Sequence, residues 1–477
     1  MDTASFQFVL FGLAAAVLSN CSRSPAWRSF VLFASTIAFL GLLQHDPRAF
    51  IPFFGFLVLG YAALLLVQRR TVPLALALFI VVFTYAWLKK YTFLPPAIFL
   101  HSPYFTLGLS YVIFRTLHLI IESAEPGPKP PIGPLAYLLY MLNFTTLVSG
   151  PIQRYDEFAR SQFASQPIAL GPRVVGLQLE RIVRGFFKVN VLAMLLHAVQ
   201  QDALAQLSPI FPTSLKLYAA FRLALVYPLF LYANFSGYID IVIALARLMR
   251  LRLPENFDRP FEASSVLDFW NKWHITLSNW LKTYVYNPLL LALMRRVSSP
   301  SLQPLLGVFC FFVTFFLIGV WHGRTSEFVI FGVLTGGGMS INKLWQIWLA
   351  RTMGRKPYKA LAQQPVYNAF SRGLNFVWFS FTLFWFWAAW KQIDSIFASL
   401  TLPQWLAVWA SAWLFATAVL AAWEWLRAAL LSIKTSEGPV LTSRYARVVY
   451  ASALGLVAIV VTVLLNQPAP DIVYKAF

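Results

Sequence analysis

Long apolar runs separated by short polar breaks dominate the chain. A helix needs about 20 apolar residues to cross a bilayer, within a range of roughly 17–25. Stretches of that kind fall near residues 5–20, 29–44, 50–68, 72–88, 104–121, 133–150, 174–197, 214–231, 233–249, 303–321, 327–349, 373–391, 402–429 and 446–466. Some are expected to be re-entrant or interfacial, which leaves about 11 true crossings. The longest polar stretches are 122–132, 152–173, 250–265 and 351–372, and no fixed-period repeat is visible. The pattern predicts an all-α polytopic membrane protein with no soluble domain of any size.

Composition strengthens this reading. Of the 477 residues, 59% are hydrophobic and only 12% charged, against roughly a quarter charged in soluble domains. The aromatic share of 17% suits spans filled by Phe, with Trp and Tyr at the interfaces. The net charge of +20 has two compatible readings. One is the excess of Lys and Arg in cytoplasmic loops; the other is a basic face for an anionic partner. Arg69-Arg70, Arg247 to Arg259, Arg295-Arg296 and Arg351 to Lys359 mark candidate cytoplasmic loops. Lys89-Lys90 follows Arg69-Arg70 by a single span, so the charge rule alone does not fix topology. Cys21 and Cys310 make no disulfide framework. Cys21 lacks the basic start and small preceding residue of a lipoprotein signal, and the first apolar stretch is expected to be a retained anchor.

Candidate chemistry collects in the middle of the chain. Asn234, Ser236, Tyr238 and Asp240 lie within an apolar run, where polar groups usually face a cavity or a partner. Pairing of Asp240 with a nearby arginine such as Arg247 is the structural alternative. Ser265 and Asp268 have the spacing of a capping box. A helix starting there sets Trp270, Trp273, His274, Leu277, Leu281 and Tyr284 on one side and Asn271, Lys272, Asn279 and Lys282 on the other. Such a Trp-rich amphipathic helix fits an interfacial or re-entrant position.

His322 follows Trp321 and precedes Gly323, where a long apolar run meets polar residues. Histidine titrates near neutral pH and suits general acid–base work; the alternative is a membrane-interface anchor. There is no GxSxG elbow, phosphate-binding glycine loop or HExxH. The scattered histidines and cysteines make no zinc site, so no metal is expected. Gly336-Gly337-Gly338 reads as a close helix-packing surface.

These residues together resemble the membrane-bound O-acyltransferase family, in its bacterial branch of alginate O-acetylation and teichoic acid D-alanyl transfer. The most telling segment is Asn256 to Pro288, with Asp268-Phe269-Trp270-Asn271-Lys272-Trp273-His274. Val320-Trp321-His322-Gly323 resembles the branch's "WHG" signature. Gly108 to Tyr111, Leu147 to Tyr155, Gly185 to Val189 and Phe235 to Asp240 match further. Asn234 departs from the Asp that many relatives carry there. The resemblance covers roughly residues 100–340. It implies N-terminal helices over 1–100, a catalytic core over 101–345 and C-terminal helices over 346–477, forming one integrated membrane domain. The implied fold is a ring of helices around a tunnel or funnel.

The resemblance also implies roles. His322 would be the general base and His274 the second active-site position; Asn271, Trp273, Trp321, Asp240, Tyr238 and Arg154 are candidate substrate contacts. No cofactor is bound permanently. The implied donor is acetyl-CoA, or the thioester of an acidic acyl carrier protein, on the cytoplasmic side. The implied acceptor is a polysaccharide hydroxyl or a periplasmic partner acyltransferase; no nucleic acid is involved. The expected location is the bacterial cytoplasmic membrane. Two alternatives stand beside acetyl transfer: D-alanyl or longer-chain transfer within the family, and a transporter or flippase for lipid-linked sugars.

Overall fold

The computed structural model describes residues 5–465, apart from 128–129, 298, 436–437 and 440–442. It is all-α but for one two-residue antiparallel pairing, Lys434–Thr435 with Gly438–Pro439, and an isolated bridge at Phe257. Seven helices among the described residues are long and apolar enough to cross a membrane, and two shorter apolar helices, Phe6–Asn20 and Leu74–Leu88, add to them. The described residues divide into two compact units, one formed by the chain up to 186 with 235–255, the other by 187–234 with the chain from 256 onward.

The first unit begins with α1 (Phe6–Asn20), α2 (Pro25–Leu43), α3 (Ile51–Gln68), α4 (Leu74–Leu88), α5 (Leu109–Ala124) and α6 (Pro134–Leu142). It then takes in most of α7 (Pro172–Phe187) and the end of α8 (Thr213–Leu248). Rings of Phe8, Phe11, Phe39 and Phe144 pack at 5.4–6.2 Å between centroids. The expected span over 133–150 is broken at Asn143, whose side chain caps the next turn by accepting from the Thr145 N–H. A break inside an apolar unit leaves carbonyls to satisfy. Arg115, 1% exposed, donates to those of Tyr140, Met141 and Thr146. Gly108 has a positive φ of 80°, and a Cβ there would lie 2.5 Å from the Leu147 carbonyl oxygen, so the turn into α5 needs glycine.

Residues 214–231 and 233–249 are not two spans, as the pattern suggested, but parts of the single 36-residue α8. The helix runs through Pro228. Polar Asn234 and Ser236 also sit within it, buried.

In the second unit, α9 (Val266–Trp270) and α10 (Ile275–Leu281) precede the hairpin of α11 (Gln303–His322) and α12 (Ser326–Thr352). A Cβ on Gly319 would lie 2.2 Å from the Cα of Gly332, and one on Gly336 would lie 2.7 Å from the Phe312 carbonyl oxygen. Within lipid, where apolar burial does not drive helices together, this close backbone packing does. Of the glycine triplet, Gly336 and Gly338 serve packing, while Gly337 faces open space. The unit continues with α13 (Pro365–Thr382), α14 (Leu402–Ser432) and α15 (Arg444–Leu465). A core of Ala220, Leu223, Phe376, Phe384, Trp405 and Ala412 holds α13 and α14 to the start of α8.

Candidate active site

The expected continuous amphipathic helix after Ser265 is instead two short helices with a break at His274. Its start is as expected: the Ser265 hydroxyl accepts from the Asp268 N–H at 3.1 Å. The Asp268 carboxylate meets Lys272 Nζ at 3.0 Å. The break is imposed by residues 256–258, which run antiparallel to 272–275. The Asp258 N–H donates to the Lys272 carbonyl, and the Ile275 N–H donates to the Asn256 carbonyl. Phe257 and Trp273 form a bridge. Asn256, fully buried, accepts through Oδ1 from the Thr276 N–H at 3.0 Å and its hydroxyl at 2.8 Å. Held on both flanks, His274 takes a left-handed conformation, φ 46° and ψ 51°. That conformation costs a non-glycine residue about 1–2 kcal/mol, and strain of this kind collects at functional sites.

The break turns His274 toward the end of α11. Its imidazole lies 6.3 Å from the Trp321 ring, and Trp321 lies 4.7 Å from the imidazole of His322, centroid to centroid. The two imidazoles are within Coulombic reach of one another. Phe331 and Phe386 stand edge-on to His322 at 5.9 and 5.1 Å. Both histidines are almost fully buried. His274 lies outside the candidate membrane spans, and burial pushes it down to about 3, so it is neutral at physiological pH. Gly323 lets the Phe328 ring rest against the backbone beside His322, since a Cβ there would come within 2.1 Å of that ring.

Two cavities belong to this unit. One of about 140 Å³ is lined by Trp270, Asn271, Ser278, Lys282, Thr314 and Ile318. Ile318 is one helical turn before His322, and neither histidine lines the cavity itself. The other, about 500 Å³, is lined by Gly338, Trp345, Tyr358, Asn368, Asn375 and Trp378. Gly338 lies seven residues along α12 from Phe331, a rise of about 10 Å. The cavity reaches Tyr358, within the basic stretch Arg351 to Lys359.

Of the candidate residues, the structure brings together His322, His274 and Trp321, and Asn271 lines the small cavity. Trp273 is a core residue: it packs on Phe257, Phe269 and Phe379 at 5.0–5.6 Å and is 2% exposed. Asp240, Tyr238 and Arg154 belong to the first unit. Asp240 is ion-paired, but with α7 rather than Arg247: Arg181 Nε lies 2.9 Å away and Arg184 Nε 3.5 Å. Arg181 also meets Glu255. Gly185 makes room for this contact, since its Cβ would lie 2.6 Å from the Gly237 carbonyl oxygen. Tyr238 is buried against Phe8. Arg154 pairs with Glu122 at 2.5 Å and reaches Asp156 at 3.9 Å. Among the described residues, no group of three or more His, Cys, Asp or Glu side chains is arranged to hold a metal ion. Sequence reasoning did not single out Phe331 and Phe386, which wall His322, or Asn256 as the brace of His274.

The model of the MBOAT, membrane-bound O-acyltransferase family matches residues 123–386, more than half of the chain and the whole stretch that carries both histidines. The chain belongs to the membrane-bound O-acyltransferase family. It is a membrane acyltransferase. It is 31% identical over 296 residues to the teichoic acid D-alanyltransferase of Streptococcus thermophilus, covering 58% of this chain and 68% of that protein. It is 30% identical over 237 residues to a probable alginate O-acetylase of Pseudomonas fluorescens, covering 50% of this chain and 44% of that protein. It is 31% identical over 214 residues to the peptidoglycan O-acetyltransferase of Helicobacter pylori, covering 44% and 38%. The match thus spans less than half the length of the last two.

Proposed function

We propose that this acyltransferase moves an acetyl group from a cytoplasmic thioester, acetyl-CoA or a carrier-protein thioester, to the hydroxyl of an extracytoplasmic polysaccharide or of a partner acyltransferase. The observation that carries the reading is the meeting of His322 and His274 about Trp321, at the end of an apolar helix. In the proposed reaction His322 takes the proton of the acceptor hydroxyl as its oxygen attacks the thioester carbonyl. The carbonyl oxygen carries the charge of the tetrahedral intermediate, which His274, as a neutral imidazole N–H donor, stabilises. Collapse breaks the C–S bond, and the imidazolium of His322 returns its proton to the leaving thiolate. Products are an ester and a thiol. A positioned base is worth about 10²–10⁴-fold.

The larger cavity supports a donor seat. Its amides, hydroxyls and aromatic rings suit a polar thioester arm, and the adjacent Arg355, Lys356 and Lys359 suit phosphates. Transfer of a D-alanyl group is the second reading, favoured by the similarity to the Streptococcus thermophilus D-alanyltransferase. The transporter reading rests on the many spans and on the intramembrane charge of Asp240; the second support falls away, because Asp240 is paired with two guanidiniums.

The test is thiol release from acetyl-CoA by the purified enzyme in proteoliposomes supplied with polysaccharide acceptor. Acceptor-dependent thiol release, abolished in His322→Ala, is expected. Release only from a D-alanyl thioester selects the second reading, and release from neither thioester contradicts acyl transfer.

A further inference from the structure

Four arginines converge in the first unit without an acidic partner. Arg28, in the first turn of α2 and 2% exposed, donates to the carbonyls of Ser161 at 3.1 Å and Ala164 at 2.5 Å. Arg247, in the last turn of α8, donates to the Ala169 carbonyl at 2.7 Å. The Nε of Arg28 and the Nη1 of Arg247 are buried and have no hydrogen-bond partner among the described residues. Arg250 donates to Asn20 Oδ1 at 2.6 Å and the Ile168 carbonyl at 3.0 Å. Arg252 is exposed. Arg250 is in Coulombic reach of both Arg28 and Arg247, and Arg252 is in reach of Arg247. Among the described residues no carboxylate pairs with any of the four.

Like charges held this close repel, more strongly where water is scarce, and carbonyl dipoles offset that only in part. The arrangement calls for an anion. Its setting says which. Arg28 and Arg247 lie at the ends of two candidate spans, Pro25–Leu43 and Thr213–Leu248, which puts the cluster at headgroup depth. Beside it, Trp27 donates to the Leu18 carbonyl at 2.8 Å and packs on Phe30 at 5.8 Å, an interfacial aromatic arrangement. Val17, Leu18 and Phe30 are 68%, 52% and 61% exposed. Guanidiniums that accept a phosphate thus adjoin bare apolar side chains that accept an acyl chain.

We propose that Arg28, Arg247, Arg250 and Arg252 bind the phosphate of an anionic phospholipid in the leaflet on the basic, cytoplasmic side. Guanidinium forks match phosphate oxygens in bidentate fashion, and the lipid supplies the missing counter-charge. The proposal rests on the bilayer setting and not on the transfer reaction.

The test uses the full-length protein, stripped of lipid and offered phosphatidylglycerol and phosphatidylcholine in mixed micelles, with bound lipid counted by native mass spectrometry. Wild type should hold phosphatidylglycerol at least tenfold more tightly. The Arg247→Gln, Arg250→Gln double variant should lose about 25-fold, taking each arginine as about fivefold, and the matching double lysine variant should keep most of the preference. Arg252→Gln, whose side chain holds no carbonyl, should lose about fivefold; it carries the test alone if the double variant does not stay monodisperse. Equal retention of the two lipids by wild type, or an unchanged preference in Arg252→Gln and in a folded double variant, overturns the proposal. So does displacement of the lipid by micromolar inorganic phosphate or adenosine 3′,5′-bisphosphate, which would assign the site to a soluble phosphate.

Discussion

Asp240 in the first unit and His322 in the second are both ionisable side chains nearly removed from solvent, 7% and 3% exposed, yet their surroundings differ in kind. Asp240 faces two guanidiniums from α7, and its pair Arg181 is shared with Glu255. Charge is matched by charge, the arrangement by which a buried carboxylate becomes tolerable. His322 faces the rings of Trp321, Phe331 and Phe386 and the second imidazole of His274. These aromatic neighbours exclude water from it. The first arrangement locks helices; the second is the setting the proposed general base requires.

The difference is open to attack by mutation. The largest expected effect is on transfer: His322→Ala should lower the rate about 10²–10⁴-fold, measured as thiol release per folded molecule, while His274→Ala should lower it less. Asp240→Ala should act on the fold instead, because it takes the buried carboxylate from Arg184 and leaves Arg181 with Glu255 alone. Breaking a buried pair costs about 3–5 kcal/mol, to be read as a lower melting temperature in detergent. Asn256→Ala removes the acceptor of the Thr276 N–H and hydroxyl. About 1–3 kcal/mol should be lost, with a fall in rate as the turn at His274 loosens; Asn256→Asp, which keeps the acceptor, should retain more activity.

The predicted pH effect is smaller. His274 is held neutral down to about 3, whereas an unfolded histidine protonates near 6.5. Between those values the unfolded chain binds the extra proton, so stability falls as pH falls through that window. From pH 7 to pH 5 the loss is about 2 kcal/mol, and His274→Gln should flatten the melting profile by that amount. Smallest of all is Arg154→Gln. The side chain is half exposed and its pair is worth about 0–1 kcal/mol, so neither melting nor rate should move measurably; a tenfold loss of rate would return Arg154 to the active site.

The same contrast explains what was legible before the structure. His322 could be read directly, because an apolar run ending in Trp321-His322-Gly323 places the imidazole at the end of a helix by spacing alone. His274 could be named but not placed. Helical periodicity runs unbroken through Trp273 and His274, with no glycine or proline to mark a turn, and the break comes from pairing with residues 256–258. The partner of Asp240 was not readable for a related reason. Arg247 is on the same helix about two turns further on, whereas Arg181 is 59 residues upstream and is brought near by the close approach that Gly185 permits. The apolar pattern predicts two spans over residues 214–231 and 233–249, but α8 runs through both and holds Asn234 and Ser236 as buried residues. Local pattern carried the class of fold and singled out both histidines as candidates, and contacts distant in sequence decided their surroundings.

The division of labour is tested most directly by measuring thiol release and melting temperature side by side for His322→Ala and Asp240→Ala, with activity expressed per folded molecule. The account predicts that His322→Ala melts near wild type and loses at least about 10²-fold in thiol release, while Asp240→Ala melts markedly lower and keeps its rate per folded molecule within tenfold. A stably folded His322→Ala protein that releases thiol at the wild-type rate would contradict it.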